Sequence, residues 1–143
     1  MIAVDTNVLL YAHQDGSPRQ RAAQGILAAL AGTLTPWAIP VFCLGELMRL
    51  LTHPRLVIPS YSPEKACEAV SNLLEAPSLT LLRPGPHYAQ LLLEAIREVN
   101  AVGHLVFDAQ IVALCREHGV SKLFTEDRDF DRFKGFRTER LEI

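Results

Sequence analysis

MIAVDTNVLLYAH, residues 1–13, places an aspartate where an otherwise apolar run has no obvious need of one. Ile2, Ala3 and Val4 read as a strand, and Val8 to Ala12 is apolar again. Between them stand a carboxylate, a hydroxyl and an amide, Asp5-Thr6-Asn7, where a buried strand hands over to a helix. One polar residue is enough to make such a turn. Three in a row point to a helix cap or to a site.

Downstream, Asp15-Gly16-Ser17-Pro18 marks a turn, with Ser17 expected to cap a helix whose first position is Pro18. Ala22, Ala23, Ile26, Leu27 and Leu30 recur at helical spacing. Leu34-Thr35-Pro36 reads as a short strand and Pro40 to Leu51 as a helix. Beyond a proline-rich connection, Pro63 opens a helix through Ala66, Val70, Leu73 and Leu74. Ser78 to Leu82 is a strand stopped by Pro84-Gly85-Pro86, and a helix with Leu91, Leu92, Ala95, Ile96 and Val99 on one side follows. Gly103 breaks that helix, and Phe107 to His118 forms another, closed by Gly119. Lys122 to Thr125 is a strand, and Thr138 to Ile143 a last one. There is no internal repeat and no low-complexity tract.

Strands separated by helical stretches imply parallel pairing with helices on both faces. The expected fold is therefore an α/β three-layer sandwich around a small central parallel sheet, in a single domain over residues 1–143. Ligands in such folds sit beyond the carboxyl ends of the strands, where the strand order reverses.

Composition narrows the function classes. Hydrophobic residues make up 49% and charged residues 21%, so a disordered chain is excluded. No apolar run approaches the ~20 residues of a membrane span, and no signal-like segment opens the chain. A cytoplasmic protein is expected. Cys43, Cys67 and Cys115 lack C-x-x-C spacing and read as reduced thiols packed as small hydrophobes. The five histidines show no zinc-ligand spacing. The net charge of −2 does not favour a polyanionic partner. Arg128, Arg132, Lys134, Arg137 and Arg140 cluster near the C-terminus, but Asp129, Asp131 and Glu139 dilute them, so they read as a solvated tail.

Four carboxylates stand out by position. Asp5 follows the first strand, and Asp127 follows the strand from Lys122 to Thr125. If those strands are neighbours, both acids reach one crevice. Glu46 has Phe42, Cys43 and Leu50 as its i−4, i−3 and i+4 neighbours, which puts it on an apolar helix stripe. Asp108 has Leu105, Ile111 and Val112 around it in the same way. Each has a structural explanation alone: Asp5 as a cap, Glu46 paired with Arg49, Asp108 at the positive end of its helix, Asp127 and Asp129 shaping a turn. Together they describe a cluster that needs a counter-charge. Hard divalent cations, Mg²⁺ or Mn²⁺, prefer such oxygen ligands and accept substrate phosphate. The chemistry this suggests is metal-assisted phosphodiester hydrolysis.

The ordered set of motifs resembles the PIN domain and, within it, the VapC toxins of type II toxin–antitoxin pairs. It comprises M-I-A-V-D-T-N-V-L-L at Met1–Leu10, the Glu46 helix followed by T-H-P at Thr52–Pro54, F-D-A-Q-I-V-A-L at Phe107–Leu114, and F-T-E-D-R-D-F at Phe124–Phe130. The resemblance covers nearly the whole chain. It implies a metal-dependent endoribonuclease that uses Mg²⁺ or Mn²⁺, with Asp5, Glu46, Asp108 and Asp127 as its acidic quartet. Asp5 and Asp108 would be principal ligands, with Glu46 and Asp127 as ligands or as holders of coordinated water. Thr6 and Thr125 would orient the carboxylates through their hydroxyls, Asn7 would brace the first turn, and Asp129 stands in reserve for the fourth place. An RNA substrate, a cognate VapB-like antitoxin and a homodimer are implied in the same way.

Rival readings differ in specific residues. A phospho-acceptor receiver domain needs an acid after the middle strand, where this chain has Arg83-Pro84, and a haloacid-dehalogenase-type phosphatase needs a second acid where Asn7 stands. A non-catalytic PIN-like binding module for nucleic acid or protein, or a PIN nuclease outside a toxin–antitoxin system, is the remaining alternative.

Overall fold

Ile2–Val4 (β1) becomes the middle of a sheet because both of its edges find parallel partners, in a computed structural model that describes residues 1–143. On one side Ile2 pairs with Trp37 of β2 (Trp37–Pro40), and Trp37 pairs in turn with Leu79 of β3 (Leu79–Leu82). On the other side Val4 pairs with Phe124 of β4 (Lys122–Phe124), and Leu123 pairs with Thr138 of β5 (Thr138–Glu139). The order is β3-β2-β1-β4-β5, parallel throughout. From β1 the chain winds outward through β2 and β3, then returns to β4 on the opposite edge of β1. The switch point therefore lies between the carboxyl ends of β1 and β4.

Ala3, Val4, Ala38, Ile39 and Leu123 are buried without polar alternation, the pattern of strands covered on both faces. The covers are α1 (Thr6–Tyr11), α2 (Gln20–Ala31), α3 (Phe42–Leu51), α4 (Pro63–Leu74), α5 (Tyr88–Val99) and α6 (His104–Glu117). Residues from all six helices join β1, β2, β3 and β4 in one continuous core, so each helix is fastened to the same sheet. Local signals set the helix ends. Ser62 accepts from Lys65 N at 3.1 Å ahead of Pro63, and Asp5 accepts from Thr6 N at 2.8 Å. Gly103 takes a φ of +58° immediately before α6, a conformation that favours glycine.

Four local expectations are corrected. The second strand is Trp37–Pro40, not Leu34–Pro36, because the four residues of β2 are all buried while Leu34 is fully exposed. Ser17 does not cap a helix at Pro18; its hydroxyl accepts from Arg19 N at 3.2 Å in a turn, and α2 begins at Gln20. The last helix begins at His104 rather than Phe107, which moves Asp108 beyond its first turn and away from the positive end of the dipole. The last strand is confined to Thr138–Glu139. Of the cysteines, Cys43 and Cys115 are buried as expected, whereas Cys67 is exposed.

Trp37 is the largest fully buried side chain, and its indole N–H donates to Ser78 Oγ at 3.1 Å. Trp37→Ala is expected to cost about 3–5 kcal/mol, read as a lower urea midpoint by circular dichroism. An unchanged midpoint would remove β2 from the core.

Candidate active site

Asp5 occupies the switch point because the β1–β4 ladder continues into it: its amide donates to Phe124 O at 3.0 Å. It is 7% exposed and its carboxylate is saturated by donors. Oδ1 accepts from Thr6 N at 2.8 Å and faces Cys43 Sγ at 3.7 Å. Oδ2 accepts from Thr125 Oγ1 at 2.7 Å and from Asn7 Nδ2 at 3.2 Å. Thr125, one residue past β4, is fully buried and has its hydroxyl completely used, since it also accepts from Asn7 Nδ2 and from Asp127 N, both at 3.1 Å. Thr125 thus orients Asp5 through its hydroxyl. Thr6 does not; its amide makes the contact and its buried hydroxyl has no partner.

Asn7 does more than brace its own turn. Its Oδ1 accepts from Glu126 N at 3.1 Å, so one amide side chain ties α1 to Asp5, to Thr125 and to the loop after β4. That loop continues as a 3-10 turn, Arg128–Arg132, begun by Asp127, whose Oδ1 accepts from Asp129 N at 2.9 Å. The turn-shaping reading of Asp127 is correct for one oxygen, and the other is left free of any hydrogen bond.

Asp5, Glu46, Asp108, Asp127 and Asp129 all line one cleft of about 830 Å³, together with Arg49, His104, Phe42 and Phe107 among others. Side-chain oxygens of Asp108, Asp127 and Asp129 lie within 4.8 Å of one another. Asp108 is half-buried on α6 beside buried Leu105, Ile111 and Val112, as its helical spacing requires. Glu46 is exposed on the cleft wall instead of lying on the buried stripe of α3, which is Cys43, Leu47 and Leu51. It forms no ion pair with Arg49. None of the five cleft carboxylates takes part in any of the chain's ion pairs, which join Arg19 to Glu126, Arg116 to Glu98, His118 to Glu117, Lys122 to Glu139 and Arg140 to Asp131.

The electrostatic result is a cleft short of positive charge. Burial raises the Asp5 carboxyl to about 6, although the hydrogen bonds from Thr125 and Thr6 pull it down and Glu46 and Asp127 push it up. Asp108 rises to about 7, first through burial and then through Asp127, Asp5, Asp129 and Glu46. Asp108 therefore feels all four of the other acids. The Cys43 thiol is pushed well above its ordinary value by burial and by Asp5, which keeps it a donor. An all-oxygen set of this kind, with three carboxylates in close reach, fits a hard divalent cation, and nothing in it suits a soft one. Sequence reasoning missed Arg49 and His104 on the cleft wall and Cys43 against Asp5; only the i+3 spacing of Arg49 from Glu46 hinted at any of them.

Residues 2–135 match the family model for the PIN domain. The chain is 34% identical to the VapC ribonuclease Mb2897 of Mycobacterium bovis, over 96% of this chain and 92% of that protein. It is 32% identical to ribonuclease VapC25 of Mycobacterium tuberculosis, with both chains covered in full. Among solved structures, Mycobacterium tuberculosis VapC20, a sarcin-ricin loop cleaving toxin, superposes with a TM-score of 0.70 at 20% identity, covering 96% of this chain and 99% of that one. VapBC2 from Rickettsia felis, bound to a DNA fragment from its promoter, gives 0.69 at 20% identity over 99% and 100%. The structural matches share the parallel five-stranded fold, and the sequence matches carry the assignment further: the chain belongs to the PIN-domain family, in its VapC ribonuclease group.

Proposed function

We propose that the protein is a metal-dependent endoribonuclease, the toxin of a type II toxin–antitoxin pair, hydrolysing RNA phosphodiester bonds in the cytoplasm. The observation that carries this reading is the meeting of five carboxylates, none of them in an ion pair, at the β1–β4 switch point. No helix is long and apolar enough to cross a membrane. A VapB-like antitoxin is part of the proposal, supported by the VapC relatives and by the VapBC complexes of like fold, and so is assembly as a homodimer.

Asp108, Asp127 and Asp129 would hold Mg²⁺ or Mn²⁺, with Asp5 and Glu46 completing the acidic surround. When bound, the cation supplies an acidified water and neutralises charge on the phosphoryl group. The chain's own residues supply the geometry. Thr125 and Asn7 keep Asp5 in one orientation, and the Thr125 hydroxyl holds the Asp127 amide, which places that carboxylate relative to β4. Arg49 and His104 offer the cleft wall donors for substrate phosphate.

Cleavage of a mixed RNA pool with added Mg²⁺ or Mn²⁺, with an EDTA control, tests the reading. Asp5→Asn and Asp108→Asn are expected to lower the rate on the order of 10²–10³-fold, the equivalent of several kcal/mol at about 1.36 kcal/mol per tenfold. Thr125→Val is expected to lose on the order of tenfold. Equal cutting by wild type and both aspartate variants would sink the assignment.

Stability against pH is a second test. Asp5 and Asp108 bind protons more tightly in the folded chain, at about 6 and about 7, than at their ordinary value of 3.8. Their contribution to stability is therefore complete below the ordinary value and is lost as pH rises through 6 and 7. Mn²⁺ is expected to raise the thermal midpoint more at about pH 7.5 than at about pH 5, because binding needs the ionised carboxylates. Asp108→Asn is expected to raise the metal-free midpoint at the higher pH. A Mn²⁺ shift independent of pH would contradict the assignment of these two groups.

A further inference from the structure

The loop that carries Thr125, Asp127 and Asp129 is held by two separate sets of contacts. Toward the cleft, Asn7 accepts from Glu126 N and the Thr125 hydroxyl accepts from Asp127 N. The second set comes from the end of the chain. Arg140 donates through Nη1 to the carbonyl of Thr125 at 2.7 Å and reaches the carbonyl of Asp127 at 3.4 Å. Its Nη2 donates to Asp131 Oδ2 at 2.8 Å, within the 3-10 turn. One guanidinium thus spans main-chain carbonyls on both sides of Glu126. The neighbouring residues extend the grip: Thr125 N donates to Glu139 O at 3.0 Å, and Leu141 N donates to Glu126 Oε1 at 2.6 Å. The buried Leu141 side chain anchors the strap in the core.

Three acidic side chains within 4.8 Å of one another repel, and two of them sit on this loop. Without an opposing hold the loop would relax by moving Asp127 and Asp129 apart. Arg140 resists that movement from outside the cleft, which it does not line, so its charge occupies none of the space between the carboxylates. A planar fork with a permanent charge is suited to bridging two carbonyls and a carboxylate at once, and a lysine ammonium is not. Arg140 also lies beyond residues 2–135, the part of the chain that matches the family model.

We infer that Arg140 is a positioning residue for the divalent-cation site: by clamping the Thr125 and Asp127 carbonyls it holds Asp127 and Asp129 within reach of Asp108. The inference rests on the metal reading of the cleft given above. Two measurements on the purified full chain, both without RNA, test it. Amide hydrogen exchange at residues 126–129 in metal-free protein reads the clamp itself. Binding of Mn²⁺ alone, followed by the electron paramagnetic resonance of the free ion, reads the consequence.

Arg140→Ala is expected to speed exchange in the loop and to weaken Mn²⁺ binding on the order of tenfold, well below its unfolding temperature. Arg140→Lys is expected to recover only part of the affinity. Asp131→Asn, which removes the surface ion pair and leaves the fork on its carbonyls, is expected to bind Mn²⁺ like wild type. Faster loop exchange in Arg140→Ala with wild-type Mn²⁺ affinity would make Arg140 a structural brace only and overturn the inference. Unchanged exchange would overturn the clamp. A wild-type chain without Mn²⁺ affinity would overturn the metal reading and this role with it, and the exchange data would show separately whether Arg140 holds the loop. Should Arg140→Ala fail to fold, Arg140→Lys carries the test, and wild-type affinity in that variant overturns the inference.

Discussion

The 2.7 Å hydrogen bond from the Thr125 hydroxyl to Asp5 joins residues 120 apart in the chain, and most of the site depends on it. It exists because β1 and β4 are neighbours in a fixed register, with Val4 opposite Phe124. A slip of one residue in that ladder would turn Asp5 to the other face of the sheet. The register is held by the ladder itself, which runs from Ile2 opposite Lys122 to the Asp5 amide on Phe124 O, and by the packing of Ala3, Val4 and Leu123 in the core. The same hydrogen bond eases the burial of Asp5. Burial alone would drive the carboxyl far up, and the donors from Thr125 and Thr6 bring it back to about 6. Asp5 is thereby near enough to ionisation at neutral pH to be useful to a cation, and buried enough to be rigid.

Charge is managed differently in the cleft than elsewhere in the molecule. Outside it, several carboxylates meet cations: Glu126 with Arg19, Glu98 with Arg116 and Asp131 with Arg140. Inside it, five acids share one cleft with Arg49 and His104, and none of the five pairs. A folded chain retains such repulsion at a functional site when the missing counter-charge is brought by something that binds. Asn7, Thr125, Cys43 and the C-terminal strap are what make that arrangement rigid, since each fixes a carboxylate or the loop bearing it.

Much of this was legible along the chain, and the reason differs from residue to residue. Asp5 and Asp127 are readable because Asp5 directly follows β1 and Asp127 comes three residues after β4, and the carboxyl ends of parallel strands lie along one edge. Asp108 was readable because its i−3, i+3 and i+4 neighbours are apolar. Glu46 was found on a mistaken ground: its neighbours Phe42 and Leu50 are not on the buried stripe of α3, so it faces the cleft rather than the core. The misplaced strand at Leu34–Pro36 has a similar origin, since local apolarity cannot tell an exposed Leu34 from the buried run that starts at Trp37.

The sequence by itself determined the alternation of strand and helix, the parallel sheet that follows from it, and which carboxylates stand out as candidates, because spacing and chain order are local properties that periodicity and turn residues report. The tertiary structure alone decided which polar side chains hold those acids. Asn7 reaches Glu126, Cys43 reaches Asp5, Asp129 joins Asp108, and Arg140 closes on Thr125, each across a stretch of chain or around a turn whose path is set only when the helices pack on the sheet. Hydrogen bonds over such separations depend on ångström-scale placement of whole elements, and that placement is a property of the packed core, not of any segment within it.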